Sequence, residues 1–140
     1  MLSIFNISST GINFYKNSLD AIAHNVANVN TVRTMDEGAV RRQSVVGTAD
    51  TSPVPSMIGT GGTVGGGVSF KVVQSSSAVG LVTYDPENVL ANADGYVRRP
   101  DIDLTTEMAD MIIAQRGYQA NLAVVQRATE AYQAALQLGR

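Results

Sequence analysis

The chain has 140 residues, 44% of them hydrophobic and 16% charged, with 13 glycines, one histidine and no cysteine or tryptophan, which suits one domain or a small domain carrying long helical extensions. A net charge of −2 gives no electrostatic footprint for nucleic acid, which needs clustered Lys and Arg. The absence of cysteine excludes a disulfide scaffold, a zinc ribbon and a thiol nucleophile, and the single histidine excludes multi-histidine metal sites, leaving only a Ser–His pair open.

From the N-terminus, Phe5, Ser8, Ile12, Tyr15, Leu19, Ile22, Val26 and Val29 step alternately by three and four, the spacing of a coiled-coil seam. This predicts a helix over about residues 4–29, with Asp20, His24 and Asn28 off the stripe. Gly11 inside the pattern points to close packing or a local break. Lys16 is the first basic residue, and Asn6, Ser8, Ser9, Thr10 and Asn13 interrupt Met1–Tyr15, so no cleavable secretory peptide is expected. No apolar run is long enough for a membrane span, and no direct membrane insertion is expected.

The middle of the chain changes character. Residues 38–48, 67–73 and 79–84 read as strands, the second placing Val68, Phe70 and Val72 inward and Ser69 and Lys71 outward. The Asp85-Pro86 turn ends the third. Residues 47–67, rich in Gly, Thr, Ser and Pro, read as a flexible glycine-rich loop or a long hairpin tip. Their glycines match no phosphate-binding pattern: no Gly-Lys-Ser/Thr follows, and Val64 stands where G-x-G-x-x-G needs its third glycine.

The C-terminal segment repeats the helical seam with Leu104, Met108, Met111, Gln115, Tyr118, Leu122, Val125, Thr129, Tyr132 and Leu136. Pro100 blocks helix before it. Asp101 or Asp103 can cap the N-terminus, Glu107 and Asp110 sit at its positive end, and Gly139 can end it. The predicted helix spans about 104–137. The expected fold is therefore mainly α with a small β region. Long N- and C-terminal helices pack as an α-helical coiled coil around a β-rich middle segment. The expected division is 1–34, 35–103 with the loop 47–67, and 104–140, the first and last forming one helical domain.

No residue set makes a convincing catalytic, cofactor or metal site. Asp101, Asp103, Glu107 and Asp110 are explained by capping and the helix dipole, and His24 has no partner ligand. Arg41-Arg42 and Arg98-Arg99 read as inter-subunit pairs or solvated charges, without the interleaved aromatics of a nucleic-acid module. A lone antiparallel helix pair of this length is marginal, so the seams ask for neighbouring chains. The expected packing interface is Phe5, Ile12, Tyr15, Leu19, Ile22 and Val26 with Met108, Met111, Tyr118, Leu122, Val125 and Tyr132.

Residues 8–34 (SSTGINFYKNSLDAIAHNVANVNTVRT), with Asn25, Ala27, Asn28, Asn30 and Thr31, resemble the N-terminal motif of the flagellar rod and hook proteins. EMADMIIAQRGYQAN (107–121), with Glu107, Met108, Met111, Arg116, Tyr118, Ala120 and Asn121, is similar to the matching C-terminal motif. EGAVRRQSVV (37–46) and YDPENVLANADGYVRRPDIDLTTEM (84–108), with Gly95, Tyr96 and Pro100, resemble the proximal-rod branch of that family; Asp101 stands where an Asn is usual and Val89-Leu90 where His-Pro is usual.

The resemblance implies a non-enzymatic, cofactor-free subunit, exported unfolded through the flagellar type III apparatus. It would assemble helically into the axial drive shaft across the periplasm, transmitting torque and enclosing the export channel. Implied partners are copies of the chain, the rod proteins FlgB, FlgF and FlgG, FliE at the membrane-ring junction and the export apparatus; nucleic acid is not among them. The competing readings are another axial subunit of the same machine, a cytosolic coiled-coil adaptor, and a peptidoglycan-cleaving enzyme, the last lacking an acid–base pair away from helix caps.

Overall fold

A computed structural model describes residues 2–51 and 65–139; most of the expected loop, residues 52–64, lies outside the described residues. The chain order is α1 (Leu2–Asn28), β1 (Gln43–Asp50), β2 (Gly67–Gln74), β3 (Leu81–Tyr84), β4 (Tyr96–Arg99) and α2 (Leu104–Leu138). Both long helices stand within two residues of the expected bounds, and α1 is continuous through Gly11. The strands form two antiparallel two-stranded sheets, β1–β2 and β3–β4. The coarse architecture is thus two long terminal helices with a small β region between them.

The strand bounds correct the sequence reading in four places. β1 starts at Gln43 rather than 38, because Ala39 N–H bonds to Ala78 O and Arg42 O accepts from Ser75 N–H outside any ladder. Where the expected strands and loop overlap, at 47, 48 and 67, the chain is strand, and Ala49 and Asp50 extend β1 into the expected loop, with Gly47 opposite Phe70 and Asp50 opposite Gly67. β4, which the sequence reading does not contain, pairs with β3 from Leu81↔Arg99 to Tyr84↔Tyr96. β3 starts at Leu81 because Gly80 turns at φ +62°, where a side chain would meet Arg99 O and Ala39 Cβ.

The β1–β2 hairpin rests on α1. Phe14 packs edge-on to Phe70 with ring centroids 6.4 Å apart. Val68 N–H donates to Thr10 Oγ1 at 3.1 Å. Gly47 permits this approach, since a Cβ there would stand 2.9 Å from the Phe14 ring. Val72 departs from its inward assignment and is 51% exposed, although Val68 and Phe70 are half-buried. Its cross-strand partner Val45 lines a cleft at that end of the hairpin. Arg33 ties the segment after α1 to β4 through a bridge with Arg98.

Asp103 caps α2, accepting from Thr105 N–H at 3.1 Å, Thr106 N–H at 3.2 Å and the Thr106 hydroxyl at 2.6 Å. These bonds, led by the Thr106 hydroxyl, hold its carboxyl below the ordinary range. Among the described residues the buried apolar side chains are few and mostly small: Ala21, Ile22, Ala39, Val97, Ile102 and Ala114.

Candidate assembly site

The helices run antiparallel in a register that three contacts fix. Asn25 bonds to Glu107, a Cβ on Gly117 would run into the Tyr15 ring, and a Cβ on Gly11 would stand 2.6 Å from Asn121 Oδ1. Going back along α1 from 25 to 15 to 11 matches going forward along α2 from 107 to 117 to 121. The buried and half-buried stripe on α1 runs Ser8, Gly11, Tyr15, Ser18, Ile22 and Asn25. Its counterpart on α2 runs Glu107, Met111, Ala114, Tyr118, Asn121, Val125 and Ala128. Small and polar residues stand where the backbones come closest.

A polar junction joins α1, β1 and α2 at one end of the pair. Asn25 is fully buried, and its amide satisfies both backbone groups of Gln43: Nδ2 donates to Gln43 O at 2.7 Å, and Gln43 N–H donates to Oδ1 at 2.8 Å. The same Nδ2 donates to Glu107 Oε2 at 3.1 Å. Glu107 is fully buried, and its other oxygen accepts from Arg42 Nε at 2.6 Å. Arg42 also reaches Asp110 Oδ2 at 3.2 Å. Arg42 therefore departs from its expected role as a solvated or inter-subunit charge. Glu107 likewise does more than face a helix dipole: it fills a buried ion pair. Arg99 pairs within the chain too, with Asp85 at 3.8 Å.

Beside this junction a cleft of about 260 Å³ opens between Phe14, Tyr15, Ile22, Val45, Ile113 and Ala114, with Arg42, Glu107 and Asp110 at its polar end. Glu107 is committed to Arg42 and Asn25. Among the described residues no group of three His, Cys, Asp or Glu side chains could hold a metal. No described helix is long and apolar enough to cross a membrane.

The expected interface residues divide into two sets. Ile22 is buried, and Phe5, Ile12, Tyr15, Leu19, Val26, Met111, Tyr118 and Val125 are half-buried. Met108, Leu122 and Tyr132 are 57%, 40% and 49% exposed, on α2 surface that α1 does not cover. Leu104, Ile112, Ile113, Val124 and Leu136 are exposed as well. The register places Ala128 beside Ile4, so α2 continues past α1 for roughly two turns.

The other motif residues hold turns and close contacts. Asn28 donates to His24 O at 2.8 Å and accepts from the Thr31 hydroxyl at 3.2 Å, closing α1. Gly95, at φ +82°, makes the turn before Tyr96, whose ring meets Tyr84 edge-on at 5.3 Å. Pro100 is buried, Asn121 donates to Gly117 O at 2.9 Å, and Asn30 and Arg116 are exposed. Sequence reasoning missed Thr10, Phe14 and Arg42 as contacts between elements; the only signal for Asn25 was its place in the motif.

Residues 93–138, which span β4 and α2, match the family model described as flagellar basal body rod FlgEFG protein C-terminal. The whole chain is similar to curated flagellar basal-body rod proteins FlgC. The Borreliella burgdorferi protein is 31% identical over 97% of this chain and 95% of the relative. The Salmonella typhimurium protein is 34% identical over 89% and 87%, and that of Bacillus subtilis 30% identical over 96% and 95%. The chain belongs to the FlgC family. It is a structural protein of the flagellar basal-body rod, not an enzyme. As a rod-family member it assembles with other rod components.

Proposed function

We propose that this subunit builds the proximal rod by helical assembly through its terminal helices. In this reading it transmits motor torque and encloses the export channel. Near full-length similarity to FlgC proteins is the observation that carries the reading. The exposed apolar residues of α2, Met108, Ile112 and Leu122 beside α1 and Tyr132 and Leu136 beyond its end, support it, because uncovered apolar helix surface marks an interaction surface. The helices complete a coiled coil only with neighbouring copies or with FlgB, FlgF, FlgG or FliE. A head-to-tail contact repeated helically gives a filament rather than a closed ring.

The chain reaches the periplasm through the flagellar type III apparatus, and the β region lies outside the helices of the assembly. The packing residues of the assembled state include Phe5, Ile12 and Leu19 as well as the outward α2 set.

The test is Leu122→Asp, with Tyr132→Ser as a companion. Both positions are exposed in the single chain, so the unfolding free energy of the purified protein in urea stays within about 0.5 kcal/mol of the parent. Cells carrying either variant are expressed normally but do not swim. Normal swimming with both variants would refute assembly through this face.

A further inference from the structure

We infer that Asn25, Arg42 and Glu107 are the register-determining residues of the helix pair, selecting one alignment of α2 on α1 among several that the packing stripes permit. The stripes repeat every seven residues. On α1 one lane is Gly11, Ser18 and Asn25 and the other Ser8, Tyr15 and Ile22. On α2 the lanes are Glu107, Ala114, Asn121 and Ala128, and Met111, Tyr118 and Val125. A slide of one heptad keeps lane over lane: it brings Ala114 or Ala128 opposite Gly11, although it also sets Asp110 or Val124 in place of Gly117 beneath Tyr15. Outside the Tyr15–Gly117 contact, size and hydropathy specify the alignment weakly.

The polar junction has no such period. Asn25 clamps both backbone groups of Gln43, so the start of β1, and with it Arg42, is fixed to one point of α1. Glu107 is fully buried and finds Arg42 Nε and Asn25 Nδ2 only at that point. Slid one heptad toward the start of α1, it would face Ser18, buried and without its cation. Slid the other way, Ala114 would face Asn25, and Glu107 would lie beyond the end of α1. A single buried polar or ionic contact that penalises every alignment but one is the best-attested use of such groups. The alignment in turn decides where the exposed α2 surface lies relative to the β region. The inference concerns the single chain and stands independently of the assembly reading.

Tyr15 over Gly117 is the competing determinant, and the test leaves both residues unchanged. The chain has no cysteine, so introduced pairs report alignment directly. Gly11→Cys with Asn121→Cys reports the observed register: a Cβ at position 11 stands 3.0 Å from Asn121 Cγ, so the two positions are in direct contact. Gly11→Cys with Ala114→Cys, or with Ala128→Cys, reports the two one-heptad slides. In the full-length parent, oxidation is expected to link only the first pair.

With Arg42→Met and Glu107→Leu added, the helix content by circular dichroism is expected to hold, because apolar replacement of a buried ion pair is generally tolerated. The slid pairs then form at a yield at least about tenfold above the parent. The inference is overturned if the slid pairs already link in the parent. It is equally overturned if they stay at parent yield without the ion pair, which assigns the register to Tyr15 and Gly117. Loss of helix content in the double variant overturns it as well, showing that the junction supplies stability rather than alignment.

Discussion

The Asn25 amide makes three hydrogen bonds in a site where it is fully buried, so the consequences of changing it depend on what replaces it. Asn25→Ala leaves both Gln43 backbone groups without that partner and is expected to cost about 2–3 kcal/mol in urea unfolding. Asn25→Asp costs more, because an acceptor then faces Gln43 O and the Glu107 carboxylate. Arg42→Met alone leaves a buried carboxylate without its cation, at a cost of about 3 kcal/mol. Adding Glu107→Leu should recover most of that, and a double-mutant cycle measures the coupling. The glycines separate by what a methyl group would meet. Gly117→Ala pushes into the Tyr15 ring and is expected to destabilise by about 1–3 kcal/mol despite alanine's better helix propensity. Gly11→Ala meets the end of the Asn121 side chain rather than a packed ring, and costs less, although turning that amide away gives up its bond to Gly117 O.

Among the elements, α2 carries a pH-dependent start. The Asp103 carboxyl is held below its ordinary range by the Thr106 hydroxyl and the Thr105 backbone amide. A depressed folded-state value means the cap's contribution is fully present above the unfolded carboxyl range and is lost as pH falls through the folded one. Amide exchange at Thr105 and Thr106 should therefore accelerate below about pH 4 more than intrinsic rates explain, and Asp103→Asn should weaken that dependence. The ends of both helices were legible in the sequence because seven-residue periodicity, Pro100 and a capping Asp are local signals. The faces were partly so: Ser8, Tyr15 and Ile22 of the sequence stripe do lie against α2, but its other lane, Ile12, Leu19 and Val26, stands one residue away from Gly11, Ser18 and Asn25, which form the second packing lane. Close backbone approach selects small residues, and hydropathy does not mark them. β4 escaped because a four-residue strand is defined by its distant partner β3. The Arg42–Glu107 pair escaped because nothing in a sequence says that positions 42 and 107 meet.

At the scale of the whole molecule, a small buried core contrasts with an α2 surface rich in exposed Met, Ile, Leu and Tyr. The single chain satisfies its polar groups at the Asn25 junction but leaves much of α2 apolar and uncovered. That imbalance is what an assembling subunit requires, and membership of the FlgC family supplies the assembly. The measurement that bears most directly on this account is deletion of the gene in its flagellated host, with mass spectrometry of purified wild-type hook–basal bodies. The account predicts that the protein is present in the wild-type basal body and that the deletion builds nothing beyond the membrane ring. Normal flagella in the deletion strain, or a basal body without the protein, would contradict it.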